Sequence, residues 1–254
     1  MTNAVILSAG QGKRLSPLTD ARPKCLVPIS GRTILEWQIR SLAAAGVEQI
    51  SVVTGFCADA VDAMLMTSNV PADVRTVYNP FFTVADNIGS CWAAKDLIGE
   101  DTLLLNGDTL FEPAIAQHVL DTAEAPITVT VDRKDSYDAD DMKIRRDGTQ
   151  LTAIGKTLEL PVDGESIGII RFQGDGGSRF VDAMGELLKD QATLKRWYLS
   201  IIDELAQAGG VGLVSIEGLA WSEIDFLRDL PIAEEKVARF AVAAEVPAIA
   251  TNAM

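Results

Sequence analysis

A glycine-rich segment near the start of the chain has the residue types needed to hold phosphate groups. Residues 7–19 read LSAGQGKRLSPLT and follow a short apolar run that predicts a strand. Ser8, Gly10 and Gly12 remove side-chain bulk where a turn leaves this strand, so successive backbone N–H groups can converge on phosphate oxygens. In the alternative interpretation, Gly10 and Gly12 only allow the chain to turn and bind no phosphate.

Three basic residues, Lys13, Arg14 and Lys24, add positive charge to this segment. Two common phosphate-binding motifs do not fit it. The dinucleotide fingerprint needs a third glycine where Leu15 stands, and the Walker A pattern of glycine, lysine and serine or threonine is absent. The segment therefore predicts a phosphate-binding loop of another kind, and an oxidoreductase is disfavoured.

A carboxylate follows a second apolar strand, predicted at 102–105 and continued by Asn106, Gly107 and Asp108. Ligands of open parallel sheets lie beyond the carboxyl ends of the strands, where Asp108 would emerge. A carboxylate there can hold a magnesium ion on a triphosphate. Alternatively, Asp108 caps a turn or a helix.

Composition narrows the class of protein. The chain has 254 residues, with 22 Lys and Arg against 36 Asp and Glu, for a formal net charge of −14. Such a charge repels a polyphosphate backbone, which argues against nucleic-acid binding. The three cysteines form no C-x-x-C pair, which argues against a thiolate zinc site, and a single histidine disfavours a Ser-His-Asp triad.

Hydropathy predicts no membrane insertion. The apolar run within 1–10 is too short for a signal peptide, and the late apolar stretch 240–250 is interrupted by Glu245 and Pro247. We therefore expect a cytoplasmic protein. The sequence says nothing about its oligomeric state.

The elements that must position these residues alternate between strands and helices, which indicates an α/β fold with a doubly wound, mostly parallel, Rossmann-like sheet. Asp147-Gly148 between two alternating runs predicts a hairpin, and hence a β-rich insertion. Further helices are predicted at 88–97, 194–208 and 224–240. We expect a single domain over 1–240, with a nucleotide-binding half at 1–125, an acceptor-binding half at 126–240 and a tail at 241–254.

The glycine-rich segment resembles the signature A-G-x-G-x-R-L-x-P-L-T, followed closely by P-K, of nucleotidyltransferases that join a nucleoside triphosphate to a phosphorylated small molecule. The resemblance implies the nucleotide-diphospho-sugar transferase type of fold, with Mg²⁺ held by Asp108. It implies catalytic roles for Lys24 and Arg14. The nucleotide-binding residues it implies are Leu7, Ser8, Ala9, Gly10, Gly12, Lys13, Arg14, Lys24, Gly107 and Asp108.

Near the C-terminus, residues 221–225 read WSEID, similar to a W-x-E-I-D segment common in this family. The resemblance implies that Asp225 is a second metal ligand and catalytic residue, and that Glu223 lies near the acceptor. From the residues alone, Asp225 could instead be the N-cap of a helix beginning at Phe226.

Other segments narrow the resemblance to bacterial phosphocholine and aminoethylphosphonate cytidylyltransferases. Asn87 and Ser90 match the N-x-x-S of relatives that use CTP, where these side chains lie near the nucleotide. The segments D-M-K at 141–143, G-K at 155–156 and G-E-x-I-G at 164–168 also resemble these enzymes. The resemblance implies that residues in them contact the acceptor. The residues concerned are Lys143, Lys156 and Glu165, and the two lysines could alternatively be solvated strand residues.

Aromatic residues raise the question of a cationic acceptor. Trp197, Tyr198 and Trp221 could stabilise a quaternary ammonium group through their ring faces, or could simply pack in the core. The prediction is therefore a magnesium-dependent cytidylyltransferase that transfers CMP from CTP to a small phosphorylated acceptor. A sugar-1-phosphate uridylyl- or guanylyltransferase and a catalytically idle nucleotide-binding subunit stay open as alternatives.

Overall fold

The computed structural model describes the backbone of residues 2–244 and the side chains of residues 2–240. Residues 245–254 of the predicted tail therefore lie outside the described residues. The N-terminal half contains β1 (Asn3–Leu7), β2 (Pro28–Ile29), β3 (Arg32–Thr33), α1 (Ile34–Ala44), β4 (Gln49–Thr54), α2 (Ala58–Thr67), β5 (Asp73–Tyr78), α3 (Asn87–Ala93), β6 (Asp101–Asn106), β7 (Thr109–Phe111) and α4 (Pro113–Thr122).

The C-terminal half adds strands to the same sheet and carries three helices. Its elements are β8 (Ile127–Asp132), β9 (Lys143–Asp147), β10 (Gln150–Gly155), β11 (Gly164–Gln173), α5 (Gly176–Leu187), α6 (Leu199–Gln207), β12 (Val211–Ser215), β13 (Trp221–Glu223) and α7 (Asp229–Ala244).

Nine strands form one sheet in the order β5-β4-β1-β6-β11-β8-β12-β10-β9. The pairs β5–β4, β4–β1, β1–β6 and β8–β12 are parallel, whereas β11 lies antiparallel between β6 and β8. The hairpin predicted at Asp147-Gly148 is β9–β10 at the edge of the sheet. The predicted doubly wound α/β architecture with a β-rich insertion is thus confirmed.

Helices cover both faces of the sheet, as doubly wound folds require. Apolar residues of α3, α5 and α6 pack on one face, and those of α1, α2 and α4 pack on the other. A third cluster joins α7 to the glycine-rich segment through Leu15, Ile34, Trp37 and Phe240, all buried. Because α7 closes over this segment, the C-terminal part of the chain supports the predicted phosphate loop. Among the described residues, no helix combines the length and the apolar character that crossing a bilayer requires.

Three predicted helices are shorter than expected. The predicted helix 88–97 is α3 followed by a 3₁₀ turn at Lys95–Leu97, and the predicted helix 194–208 is a 3₁₀ turn at Gln191–Lys195 followed by α6. The break before α6 arises because the Tyr198 N–H donates to the side chain of Asn87 instead of continuing a helix. Residues 221–223 form β13, and α7 begins only at Asp229.

A buried glutamine ties α1 to the segment that presents Asp108. The side chain of Gln38 is fully buried, and its amide donates to the carbonyl oxygens of Asn106, at 2.7 Å, and Thr109, at 2.9 Å. These two carbonyls flank Gly107 and Asp108, so Gln38 fixes both ends of the turn. A buried carbonyl left without a donor destabilises the native state.

We predict that Gln38→Ala lowers the free energy of unfolding by about 2–4 kcal/mol, because two buried carbonyls lose their donor and a cavity forms. Urea denaturation followed by circular dichroism measures the change. Gln117→Ala, which removes an exposed glutamine on α4, is the matched control and should change little. Equal stability of the two variants would contradict the role assigned to Gln38.

Candidate active site

A lysine ammonium bridges two carboxylates at the carboxyl edge of the sheet. Lys24 Nζ lies 2.8 Å from Asp108 Oδ2 and 2.7 Å from Asp225 Oδ1. Arg14 contributes a second cation, with its Nη2 2.7 Å from the same Asp225 oxygen. The structure therefore brings together the four residues predicted as catalytic.

The small ribbon formed by β7 and β13 is what brings the two carboxylates together. Trp221, Ser222 and Glu223 pair antiparallel with Phe111, Leu110 and Thr109. The ladder is extended by the Ile224 N–H, which donates to the Asp108 carbonyl at 3.1 Å. The side chain that follows Ile224 therefore projects beside Asp108.

Asp229, in the first turn of α7, holds the turn that carries Asp225. Its Oδ2 accepts the backbone N–H groups of Asp225 and Phe226 at 2.8 and 2.7 Å. The alternative in which Asp225 caps a helix starting at Phe226 is therefore wrong: the helix begins later, and Asp225 is free to pair with Lys24. Sequence reasoning did not find this role, because the predicted helix 224–240 placed Asp229 beyond the first turn.

The glycine-rich segment leaves β1 and folds back against Lys24. Gly12 has φ +75°, and a Cβ placed on it would lie 2.7 Å from the Cβ of Lys24. Thr19 secures the segment by donating its hydroxyl to the Gly12 carbonyl at 2.8 Å. Only glycine satisfies both the conformation and the close approach, so this position fixes where the lysine lies.

Three carboxylates form a site with the chemistry of a divalent-cation centre. One oxygen each of Asp108, Glu223 and Asp225 lie within 4.8 Å of one another. Asp108 Oδ1 is buried and has no hydrogen-bond partner among the described residues, so its lone pairs remain available to a ligand. Oxygen ligands of this kind suit hard divalent cations, so these residues fit such an ion.

The charges of the cluster shift the pKa values of its members. Burial alone would lower the pKa of Lys24, but Asp108 and Asp225 raise it above its usual value. Burial would raise the pKa of Asp225, yet Lys24 and Arg14 lower it overall. For Glu223, desolvation in the cleft and the charges of Asp108 and Asp225 raise the pKa. Lys24 therefore stays cationic, and the acids repel one another whenever Glu223 is ionised.

A cleft beside this cluster lies between the ends of β1, β5 and β6 and the start of α3. Most of the residues predicted to bind the nucleotide line it. They are Leu7, Ala9, Gly10, Asn87, Ser90, Gly107 and Asp108. Gly107 allows the close approach of β6 to the glycine-rich segment, since a Cβ there would lie 2.4 Å from the Leu7 carbonyl oxygen.

The other predicted nucleotide-binding residues lie around this cleft and not in its lining. Ser8 is buried, and its Oγ has no hydrogen-bond partner among the described residues. Lys13 is exposed on the 3₁₀ turn at Lys13–Leu15. Gly12 supports Lys24 from behind, as described above. Arg14 and Lys24 belong to the carboxylate cluster described above. Contact of these five residues, or of those that line the cleft, with a nucleotide stays a prediction.

Sequence reasoning missed several residues of the cleft. Asn79 is fully buried, and its amide donates to Ser90 Oγ at 3.1 Å. Asn106 accepts the hydroxyl of Tyr198 at 3.1 Å. Phe82 and Asp86 also line the cleft. Asn79 directly follows β5, so its position at the carboxyl end of a parallel strand was a signal that could have found it.

On the other side of the carboxylates, a second cleft has a strongly acidic lining. Asp132, Asp141 and Glu165 lie on its wall, and Glu223 and Asp225 lie where it meets the catalytic cluster. Trp221 lines it too, with its indole N–H 2.7 Å from Asp132 Oδ2. Of the residues predicted to bind the acceptor, Glu165, Trp221 and Glu223 therefore share one cleft.

Lys156 and Trp197 lie together near the same cluster. Lys156 Nζ lies 4.7 Å from the centroid of the Trp197 ring, and Trp197 is 41% exposed. The charge of Lys156 contributes to lowering the pKa of Asp225. The Lys156 ammonium therefore lies close enough to Asp225 for their charges to interact, and its contact with an acceptor stays a prediction.

Lys143 and Tyr198 lie elsewhere. Lys143 is buried, and its ammonium donates to the backbone carbonyls of Asp138, at 2.7 Å, and Asp141, at 3.4 Å. Tyr198 is fully buried with its ring edge-on to Phe180. In the structure these side chains support a loop and the core, and their contact with an acceptor stays a prediction.

The fold and the site together bring a glycine-rich turn, two cations and three carboxylates to one edge of an α/β sheet. The model of the MobA-like NTP transferase domain matches residues 4–209, and the chain belongs to this family. Residues 4–209 are therefore a nucleotidyltransferase domain.

Two curated relatives are similar over most of the chain. One is CMP-5'-(3-aminopropyl)phosphonate synthase of Streptomyces rubellomurinus, 31% identical over 87% of this chain and 36% of that protein. The other is CTP:phosphoglutamine cytidylyltransferase of Campylobacter jejuni, 26% identical over 92% of this chain and 100% of that protein. The chain thus spans about one third of the first relative's length and all of the second's.

A solved structure supports the fold. CTP:phosphocholine cytidylyltransferase of Streptococcus pneumoniae aligns with a TM-score of 0.77 and 20% identity, covering 93% of this chain and 99% of that one. At this low identity the likeness bears on the fold alone. It shows that the nine-stranded α/β sheet has the nucleotide-diphospho-sugar transferase fold, as predicted.

The buried carboxyl of Glu165 makes stability depend on pH. Burial raises the pKa of Glu165 to about 7, although Lys134 lowers it through a hydrogen bond and its charge. The unfolded chain has an ordinary glutamate pKa near 4.5. The native state therefore binds more protons between these values, and its stability falls as pH rises through this window.

We predict that Glu165→Gln flattens this dependence, so the variant gains stability relative to the wild type as pH rises from about 5 to about 8. Urea denaturation with a chelator present, repeated across this range, measures the gain. Glu235→Gln, which changes an exposed residue of α7, should leave the wild-type curve unaltered. Parallel curves for Glu165→Gln and the wild type would contradict the prediction.

Proposed function

We propose that the protein is a magnesium-dependent cytidylyltransferase that transfers CMP from CTP to a small phosphate- or phosphonate-bearing acceptor and releases pyrophosphate. The observation that carries this proposal is the convergence of Lys24, Asp108 and Asp225 between two clefts. One cleft has the glycine-rich turn needed by a triphosphate, and the other lies where an acceptor would approach.

Support for CTP comes from the nucleotide cleft and from the relatives. Ser90, held by Asn79, and Asn87 lie in the cleft and offer the amide and hydroxyl groups that a nucleobase edge requires. The two curated relatives carry CMP or CTP in their names. We infer that this chain uses the same nucleotide.

The chemistry needs positioning and charge neutralisation more than proton transfer. A phosphate monoester has a second pKa near 6, so its oxygen is largely ionised at neutral pH and attacks without a general base. The acceptor oxygen forms a bond to the α-phosphorus, and the bond between the α-phosphorus and the pyrophosphate oxygen breaks. Both partners are anionic, so the barrier is lowered by cations placed around the reacting oxygens.

The cationic side chains of this protein have distinct positions for that task. In this proposal Lys24, held in place by Gly12 and two carboxylates, neutralises the α-phosphate, and Arg14, which pairs with the same Asp225 oxygen, adds a second positive charge. Lys156 faces the acceptor side and orients the attacking anion. Backbone N–H groups near Gly10 and Gly12 hold the triphosphate oxygens.

Asp108 and Asp225 would hold a magnesium ion, with Glu223 at its edge. The bound ion would supply positive charge shared by the α-phosphate and the acceptor. Asp108 Oδ1, which has no other partner among the described residues, supports this assignment.

The acidic lining of the second cleft favours an acceptor with a positive charge at its far end. Eight acidic side chains line this cleft against two basic ones, Lys134 and Arg228, and Lys134 pairs with Asp141 and Glu165. A purely anionic acceptor would be repelled there, whereas an ammonium group would be attracted and could also contact Trp221. We therefore infer that the acceptor is an aminoalkyl phosphonate or a choline-like phosphate and not a sugar phosphate.

The direct test incubates the protein with magnesium and each of the four nucleoside triphosphates against a panel of acceptors. The panel pairs 2-aminoethylphosphonate with ethylphosphonate and phosphocholine with glucose 1-phosphate. We predict pyrophosphate release and a CMP adduct, found by mass spectrometry, only with CTP and a cationic acceptor, and loss of both on chelation. Turnover with UTP or GTP and glucose 1-phosphate would contradict the proposal.

We predict that Asp108→Asn and Lys24→Ala each lower kcat by about 10²–10³-fold, the cost of removing one charge-stabilising group. Thermal unfolding would verify that each variant is folded. Lys95→Ala is the matched control, since Lys95 lies against Trp92 near the start of β6, at the opposite edge of the sheet from the site. Near-normal turnover in either site variant would remove the proposed site.

A further inference from the structure

A loop between β8 and β9 overhangs the acceptor cleft. Residues 133–141, here called the acceptor loop, are anchored by Lys134, whose Nζ lies 2.7 Å from Asp141 Oδ2 and 3.0 Å from Glu165 Oε2. Glu165 belongs to the central strand β11. This bridge therefore ties the loop to the sheet.

A tight turn at the end of the acceptor loop fixes the position of Asp140. Asp138 Oδ1 accepts the backbone N–H of Asp140 at 2.8 Å, and Asp141 Oδ2 accepts that of Asp138 at 2.7 Å. From beneath, the buried ammonium of Lys143 holds the Asp138 carbonyl at 2.7 Å. Hydrogen bonds from within the turn and from Lys143 therefore fix the backbone that carries the Asp140 side chain.

The carboxylate of Asp140 lies between two cations of the proposed site. Its Oδ2 is 3.9 Å from Arg14 Nη1, and its Oδ1 is 4.0 Å from Lys156 Nζ. These separations exceed hydrogen-bond length, so both cations keep donors free on this side. The Asp140 side chain is 56% exposed, so these ion pairs are weak and can be exchanged for a better anion.

A negative charge at this position opposes the function of its neighbours. In the proposed reaction Arg14 and Lys156 receive anionic oxygens, and a carboxylate between them offsets the charge that attracts those oxygens. A tetrahedral phosphate or phosphonate is larger than a carboxylate and carries up to two charges, so it can reach both cations and compete successfully.

We propose that the Asp140 carboxylate competes with the phosphate- or phosphonate-type anion of the acceptor for Arg14 and Lys156, so that the acceptor must displace it in order to bind. The anion is taken as the acceptor's on the basis of the proposed function. Asp140 thereby weakens the binding of any anion at this position by a similar factor, and an acceptor binds in spite of it through the additional contacts that it makes elsewhere in the cleft.

The test compares Asp140→Asn, which removes the charge and keeps the shape, with Asp135→Asn, which removes one charge from an exposed position of the same loop. At fixed CTP and magnesium, Asp140→Asn should lower the acceptor KM about three- to tenfold and change kcat less than about twofold, the range expected for two exposed ion pairs. Asp135→Asn should leave both constants at wild-type values. An unchanged or raised acceptor KM in Asp140→Asn would overturn the proposal.

A second measurement needs no catalysis. Isothermal titration calorimetry with sulfate alone should give a dissociation constant about three- to tenfold lower for Asp140→Asn than for the wild type. The gain should vanish when Lys156→Ala is added. Equal sulfate affinity in Asp140→Asn and the wild type would count against the role of Asp140. If the wild type transfers no CMP to any acceptor, the proposed function fails, and the sulfate titration still decides whether Asp140 occupies an anion site.

Discussion

The ammonium of Lys24 makes it possible for two carboxylates to lie together at the edge of the sheet. Asp108 and Asp225 are 84 and 201 residues from this lysine in the sequence, yet each is within 2.8 Å of its Nζ. Without a cation, two like charges held this close would repel each other. The charge of Lys24 therefore offsets the repulsion within a pair of acids whose oxygens are of the kind that binds a hard divalent cation.

The architecture supplies each partner of this interaction from a different part of the fold. The parallel sheet brings the ends of β1 and β6 side by side, which places the glycine-rich segment next to Asp108. The ribbon of β7 and β13 returns the chain so that Asp225 follows, and α7 packs on Leu15 to close the arrangement. The Asp140 carboxylate adds an outer charge to the same cluster. Because the groups come from separate elements, the site exists only in the folded chain.

The sequence predicted the parts of this arrangement that depend on local pattern. The alternation of strands and helices predicted the doubly wound sheet and the hairpin at Asp147-Gly148, and the rule for parallel sheets predicted Asp108 beyond the carboxyl ends of the strands. The short strand β13 was missed because three residues form a strand only by pairing with β7. The break before α6 depends on a side chain of another helix. The role of Lys143 could not be predicted, because its ammonium donates to the backbone carbonyl of a loop whose conformation the sequence does not reveal.

The central claim is that the triphosphate and its metal ion bind where Lys24, Asp108 and Asp225 meet. A crystal structure of the protein with magnesium and a CTP analogue that resists transfer tests it most directly. The account predicts metal density bonded to oxygens of Asp108 and Asp225, the Lys24 ammonium on an α-phosphate oxygen and the β- and γ-phosphates along the glycine-rich turn. A triphosphate bound away from these three side chains, or a metal ion without either carboxylate, would contradict it.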